Sequence, residues 1–314
     1  MFRAAAVIAL ALLSSGPAAA QETAAPAEAD DTVVVVGERT EEAIRGFVEA
    51  MSAPSLGANQ LARWDRRICP GVAGLRTRYA QFVIDRLGYR ALELDLEIDA
   101  PGCRPNILIV VSTNPDAIAR ELFNHHRSAM GYFDASSAGT RGRDALRATF
   151  VDSDAPVRWW HVSNTRSVGG FEFSEPRMGP ACHQPARGAD VLDIQNCYRV
   201  NLVGGGSSRL RATSRQDFGA AFIIVDANRL AEIGHDFNAL ADYLAMVSLA
   251  QLDPDADMSA YPSVLNLWRS ADAPVELTDW DRDYLRGLYT VVQEARSARS
   301  QQGDIAREMM REGE

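Results

Sequence analysis

The chain has 314 residues, 46% of them hydrophobic, and its 42 acidic side chains outnumber 32 basic ones for a formal charge of −10. That length supports one large core or two modest ones. The negative balance argues against general nucleic-acid binding and against adhesion to anionic lipid.

The N-terminus is laid out as a cleavable secretory signal: Arg3, an apolar stretch from Ala4 to Leu13, a Ser-Ser-Gly-Pro break, and Ala18-Ala19-Ala20 before Gln21. Residues 1–20 are therefore expected to be removed, leaving a periplasmic or secreted protein. No later stretch approaches the roughly 20 apolar residues of a spanning helix, so no transmembrane segment is expected. Residues 21–31 are small, acidic and proline-containing, which suits a disordered segment. Val33 to Val36 read as a short strand, and Thr40 as the N-cap of a helix from Glu41 to Met51 with Ile44, Phe47 and Val48 at helical spacing. From Asp31 to Arg39 the text DTVVVVGER resembles the segment near the mature N-terminus of TonB-dependent outer-membrane receptors, which implies contact with TonB. An edge strand is the plainer reading of the same valines.

Leu75 to Leu87 is amphipathic, and Gly88 is expected to end that helix. Next, Leu92, Leu94, Leu96 and Ile98 alternate with acidic residues, and Ile107 to Val111 is an unbroken apolar run. The expected unit is a hairpin from Ala91 to Ser112, with Asp99-Ala100-Pro101-Gly102 as its turn and the apolar run as a central strand. Asn114-Pro115-Asp116 then caps a helix reaching His126, with Ile118, Leu122 and Phe123 inward. Helix, hairpin and helix in this order predict helices packed on one side of a sheet. Val157 to Ser163 and Ala220 to Asp226 read as further strands, Leu240 to Leu252 as a helix, and Thr278-Asp279-Trp280-Asp281 as the capping box of another. The fold class is thus α+β: a single domain over residues 32–293 with a mixed sheet and packed helices, followed by a polar tail, 294–314, that frays. Two disulfides are expected to staple it. Sequence proximity pairs Cys69 with Cys103 and Cys182 with Cys197, and neither spacing suits a zinc site.

Candidate chemistry is sparse, and no complete catalytic or cofactor motif is present, so no cofactor is expected. Glu121, His125 and His126 are the metal candidates, since Glu121 and His125 stand one turn apart on one helix, but a third ligand is not evident. His161, His183 and His235 are isolated. Asp253, Asp255 and Asp257 alternate as in a calcium loop, yet Met258 and Val264 occupy the positions that need glycine and a bidentate acid. Arg209, Arg211 and Arg215, beside Gly204-Gly205-Gly206, are a candidate anion-binding group or a solvated strand face.

Taken together, CPGVAGL at 69–75, CRPN at 103–106, SRLRATSRQD at 208–217, LADYLAMVSLAQ at 240–251 and LTDWDRDYLRGLY at 277–289 resemble a group of uncharacterised exported alphaproteobacterial proteins. That resemblance implies export and a single domain. The order of elements is also similar to zincin-like metalloprotease domains. Laid on the zincin H-E-x-x-H helix, LADYLAMVSLAQ places Tyr243 and Val247 at the histidines and Leu244 at the glutamate, none of which does the family's chemistry. The expected function is a non-catalytic binding or interaction protein of the cell envelope, with an envelope protein or small ligand as partner. The alternative is a metal-dependent hydrolase using Glu121 and His125.

Overall fold

Val72, Ile109 and Ile223, far apart in sequence, stand side by side on three parallel strands. The computed structural model describes residues 39–54, 60–131, 141–168, 211–233, 237–270 and 272–312. Along them run α1 (Glu41–Met51), β1 (Pro70–Ala73), α2 (Thr77–Leu92), β2 (Ile107–Ser112), α3 (Pro115–His125), a short α4 (Arg143–Leu146) continued by a π turn (Arg147–Val151), β3 (Val157–Ser167) and β4 (Ser214–Asp226). A 3-10 turn (Ala227–Ile233), α5 (Phe237–Leu249), α6 (Asp279–Thr290) and α7 (Ala298–Glu312) complete the α+β arrangement. The sheet is mixed, in the order β1-β2-β4-β3, with only β3 antiparallel.

Alternation along the strands builds two cores. Ile107, Ile109 and Val111 of β2, Ala221, Ile223 and Val225 of β4, and Trp159 of β3 face the larger one, which α1, α2, α5, α6 and α7 cover. On the other face Ile224, Trp160 and Val162 meet Ala119 and Phe123 of α3 and Leu146 and Phe150 beyond it. Helices therefore lie on both faces, not on one. β2 is central as expected.

The expected hairpin does not form. Leu92 is the last residue of α2, and Leu94, Leu96 and Ile98 pack against the core without a ladder, apart from one bridge from Ile98 to Ile68. Both hydrogen-bonding edges of β2 are taken by β1 and β4, so the alternating segment has no free edge to join. Nor does Gly88 end α2. The helix runs through it because Leu87, Arg90 and Ala91 keep burying the same face.

Local signals fare better. Thr40 accepts from Ala43 N at 3.2 Å, Asn114 accepts from Ala117 N at 3.3 Å with Pro115 at the first helical position, and Thr278 forms a complete capping box with Asp281. The strand expected at Val33 to Val36 lies outside the described residues. The polar tail is a helix: α7 buries Ile305, Ala306 and Met309, and Gln301 Oε1 accepts from Leu61 N at 2.8 Å. Gly287 makes this possible, since a Cβ there would come within 3.1 Å of Ile305. In α5, Tyr243, Leu244 and Val247 are all buried.

One ion pair sets how α2 lies on α5. Arg90 donates Nε to Asp242 Oδ1 at 3.0 Å and Nη2 to Oδ2 at 2.8 Å, while Leu277 N reaches the same Oδ2 at 3.0 Å. Burial alone would lower the guanidinium pKa, but its bonds to Asp242 and Glu93 raise it, so Arg90 stays charged.

Cys69 and Cys103 are bridged, closing the loop that contains α2 and tying the start of β1 to the approach to β2. Cys182 and Cys197 lie outside the described residues. Two stability predictions follow from these contacts. Replacing Cys69 and Cys103 with serine should cost about 4 kcal/mol in a denaturant titration, the chain-entropy value for a loop of this length. Arg90→Ala leaves a fully buried carboxylate with only Arg86 and Leu277 N and should cost about 3 to 5 kcal/mol, more than Arg45→Ala on the exposed face of α1, which should change stability by less than about 0.5 kcal/mol.

Candidate functional site

After β2 the chain turns into α3 on the smaller core, whereas after β4 it turns through the 3-10 segment into α5 on the larger one. The carboxyl ends of two neighbouring parallel strands thus send the chain to opposite faces, which leaves a crevice between the departing segments. It measures about 510 Å3 and is lined by Thr113, Asn114, Pro115 and Asp116 after β2, by Asp226 and Asn228 after β4, by Val151 to Asp154, and by Arg120 and Arg158.

Most of its walls are fixed by their own hydrogen bonds. Buried Arg158 donates Nη2 to Asp116 Oδ1 at 2.9 Å and Nη1 to the Phe150 and Val151 carbonyls at 3.3 and 3.4 Å, joining β3 to α3 and to the end of the π turn. Asn228 Nδ2 donates to Thr113 O and to Asp226 Oδ1, both at 2.9 Å, and so bridges the ends of β2 and β4. Arg229 grips Glu232 with both arms at 2.9 Å and the Asp154 carbonyl at 2.9 Å.

Four aspartates face two arginines across the lining. Arg158 and Arg120 both turn to Asp116, and Asp152 takes Arg147 at 3.1 Å. The Asp154 carboxylate and Asp226 Oδ2 meet no hydrogen-bond donor among the described residues. Arg229 lies near enough to Asp154 and Asp226 for its charge to act on both, so the crevice is rich in acceptors and suits a ligand that brings hydrogen-bond donors.

The residues singled out from sequence lie elsewhere. Glu121, His125 and His126 are exposed on α3, with Glu121 oxygens 3.9 and 4.0 Å from the two Nε2 atoms. Among the described residues no group of three or more His, Cys, Asp or Glu side chains, these three included, is arranged to hold a metal ion. Arg209 lies outside the described residues, as do His183, His235 and the Gly204 to Gly206 run. Arg211 is exposed and bridges to Ala295, and Arg215 is engaged by Asp65 and by Asp217 at 3.1 Å. Arg215 belongs to a polar cluster at the opposite end of β4, where burial pushes the Asp217 carboxyl up and Arg215 draws it back down. Asp253 and Asp257 accept from the backbone of their own loop and from Arg141 and Arg269.

Sequence reasoning missed Asp154, Arg158, Asp226 and Asn228. A signal was there: ILIVVS and AAFIIVD both end in polar loop residues, and reading the two runs as parallel neighbours would have put those loops together.

His161, isolated in sequence, is a core residue. Its Nε2 donates at 2.7 Å to the Val247 carbonyl, one of the last carbonyls of α5 that the helix itself leaves unpaired. Burial, only partly opposed by this bond, lowers its pKa to about 4. At neutral pH the ring is neutral in both the folded and the unfolded chain. As pH falls below about 6.5 the unfolded chain takes up the proton first, so stability drops until about pH 4, by about 3 kcal/mol in total. Urea titrations from pH 7.5 to 4 should show this slope, and His161→Gln should flatten it.

Comparison of the chain with protein-family models, with curated proteins and with solved structures gives no match.

Proposed function

We propose that this protein works in the cell envelope as a non-catalytic binding protein, periplasmic or secreted, and that a small polar ligand occupies the crevice at the ends of β2 and β4. The observation that carries this reading is the crevice's place and lining: a polar hollow where the chain leaves two parallel strands in opposite directions, of a size usual for small-molecule sites. Fixed hydrogen bonds hold its walls, which suits a preformed site. Asp154 and the free oxygen of Asp226 supply acceptors for an ammonium, guanidinium or hydroxyl group.

The reading is tested by thermal unfolding of the protein against amines, amino acids and sugars. A ligand at about 100 times its Kd should add about 2.7 kcal/mol, a rise of several degrees. Asp154→Ala and Asp226→Asn should each remove most of the rise, the second while keeping an acceptor for Asn228. Stoichiometric zinc in protein purified without chelators, together with peptide hydrolysis lost in His125→Ala, would instead establish the hydrolase.

A further inference from the structure

Four of the seven exposed large hydrophobic side chains among the described residues lie on α2: Tyr79, Phe82, Tyr89 and Leu92, between 37% and 63% exposed. The inner face of α2 is used by Val83, Leu87, Arg90 and Ala91, and on one flank the Tyr79 and Phe82 rings lean on Phe237 with centroids 5.3 and 5.6 Å apart, so Tyr89 and Leu92, with the outer parts of Tyr79 and Phe82, form a second stripe that the fold covers only in part.

The stripe has order of its own. Arg78, Phe82, Asp85, Tyr89 and Leu92 follow one another at intervals of four, three, four and three, the spacing of a seam between two packed helices. Its charges are graded: Arg76 and Arg78 stand exposed at the start, and Glu93 and Asp95 stand exposed at the end. Arg78 also lies over the Tyr79 ring, 4.5 Å from its centre, which widens the flat surface there.

We infer that the outer face of α2 is a self-association surface on which a second copy of this chain docks its own α2 in antiparallel fashion. A two-fold axis passing between Asp85 and Arg86 sets Phe82 against Tyr89 of the second copy and Tyr79 against its Leu92. The same axis sets Arg78 against Glu93 and Arg76 against Asp95 of the second copy. Aromatic meets aromatic or aliphatic, and the charged pairs at the two ends are of opposite sign, as suits an isologous interface, while the Asp85 carboxylates near the axis help keep it weak. A parallel arrangement would oppose each charge to its own copy. Anionic lipid fits less well, because the acidic end of the stripe would face the surface. One pair of helices about 24 Å long covers less than a standard stable interface, so the dimer is weak and reversible, with a Kd in the micromolar range.

Sedimentation velocity of the mature chain from about 1 μM to about 1 mM should show a monomer passing into a dimer. Tyr89→Glu, and separately Arg78→Glu, should weaken that association by at least about tenfold without lowering the melting temperature, since both side chains are exposed. Mixing Phe82→Cys protein with Tyr89→Cys protein under mild oxidation should give the mixed disulfide dimer in excess over either homodimer. A monomer throughout that range, or a dimer untouched by both charge variants, overturns the inference. So does an excess of the two homodimers, which would mean parallel helices. Binding of the monomer to anionic vesicles, lost in Tyr89→Glu, would make the face a membrane contact instead.

Discussion

The Arg90–Asp242 pair is the constraint from which the arrangement of helices on the larger core follows. A carboxylate with no exposure sits in the middle of α5, and burying such a group is costly unless a matching cation and further donors reach it. Arg90 meets it with a two-pronged grip, Arg86 approaches Oδ1 at 3.2 Å from one turn earlier on α2, and Leu277 N closes the remaining side. Apolar packing between α2 and α5 tolerates sliding, whereas this bidentate geometry is satisfied in one register only. Fixing that register also fixes which face of α2 is left outward.

Elsewhere in the core, buried amide side chains act in the same way at lower cost. Gln251 Oε1 accepts from Ala62 N at 2.7 Å, Gln301 from Leu61 N, and Gln293 Nε2 donates to the Gln216 carbonyl at 2.7 Å. Gln251 and Gln301 stitch the irregular segment before β1 to the chain just after α5 and to α7, and Gln293 ties the chain after α6 to β4, all without an ionic desolvation cost. Asp281 does this for the turn near Ser263: it accepts from Ser263 Oγ at 2.7 Å and Val264 N at 2.9 Å while completing its own helix cap.

The two-sided sheet is what opens the crevice. Had all helices lain on one face, the segments after β2 and β4 would have left in the same direction and closed over one another. Because they part, Asn228 has to bridge the strand ends and Arg158 has to pin the first turn of α3, and the carboxylates between them face solvent. The polar lining is thus a product of topology acting on loop residues that have no backbone partner of their own.

Sequence by itself determined whatever depends on near neighbours. The caps at Thr40, Asn114 and Thr278, the apolar faces of α1, α3 and α6, and the strand character of ILIVVS and AAFIIVD are set by steric and hydrogen-bonding preferences within one turn or one pleat. The Cys69–Cys103 bridge was legible for the same reason of proximity. Tertiary structure alone decided which runs pair. Alternation from Leu92 to Ile98 is the right pattern for a strand, yet a strand exists only where a partner offers an unpaired edge, and β1 and β4 had already taken both edges of β2. It also decided that α7 forms, because Ile305 and Met309 gain enough only when α1 and α6 bury them. The crevice was illegible for the same reason: Asp116, Asp154, Arg158 and Asp226 belong to separate segments, and only the strand order and the opposite departures from β2 and β4 bring them to one place.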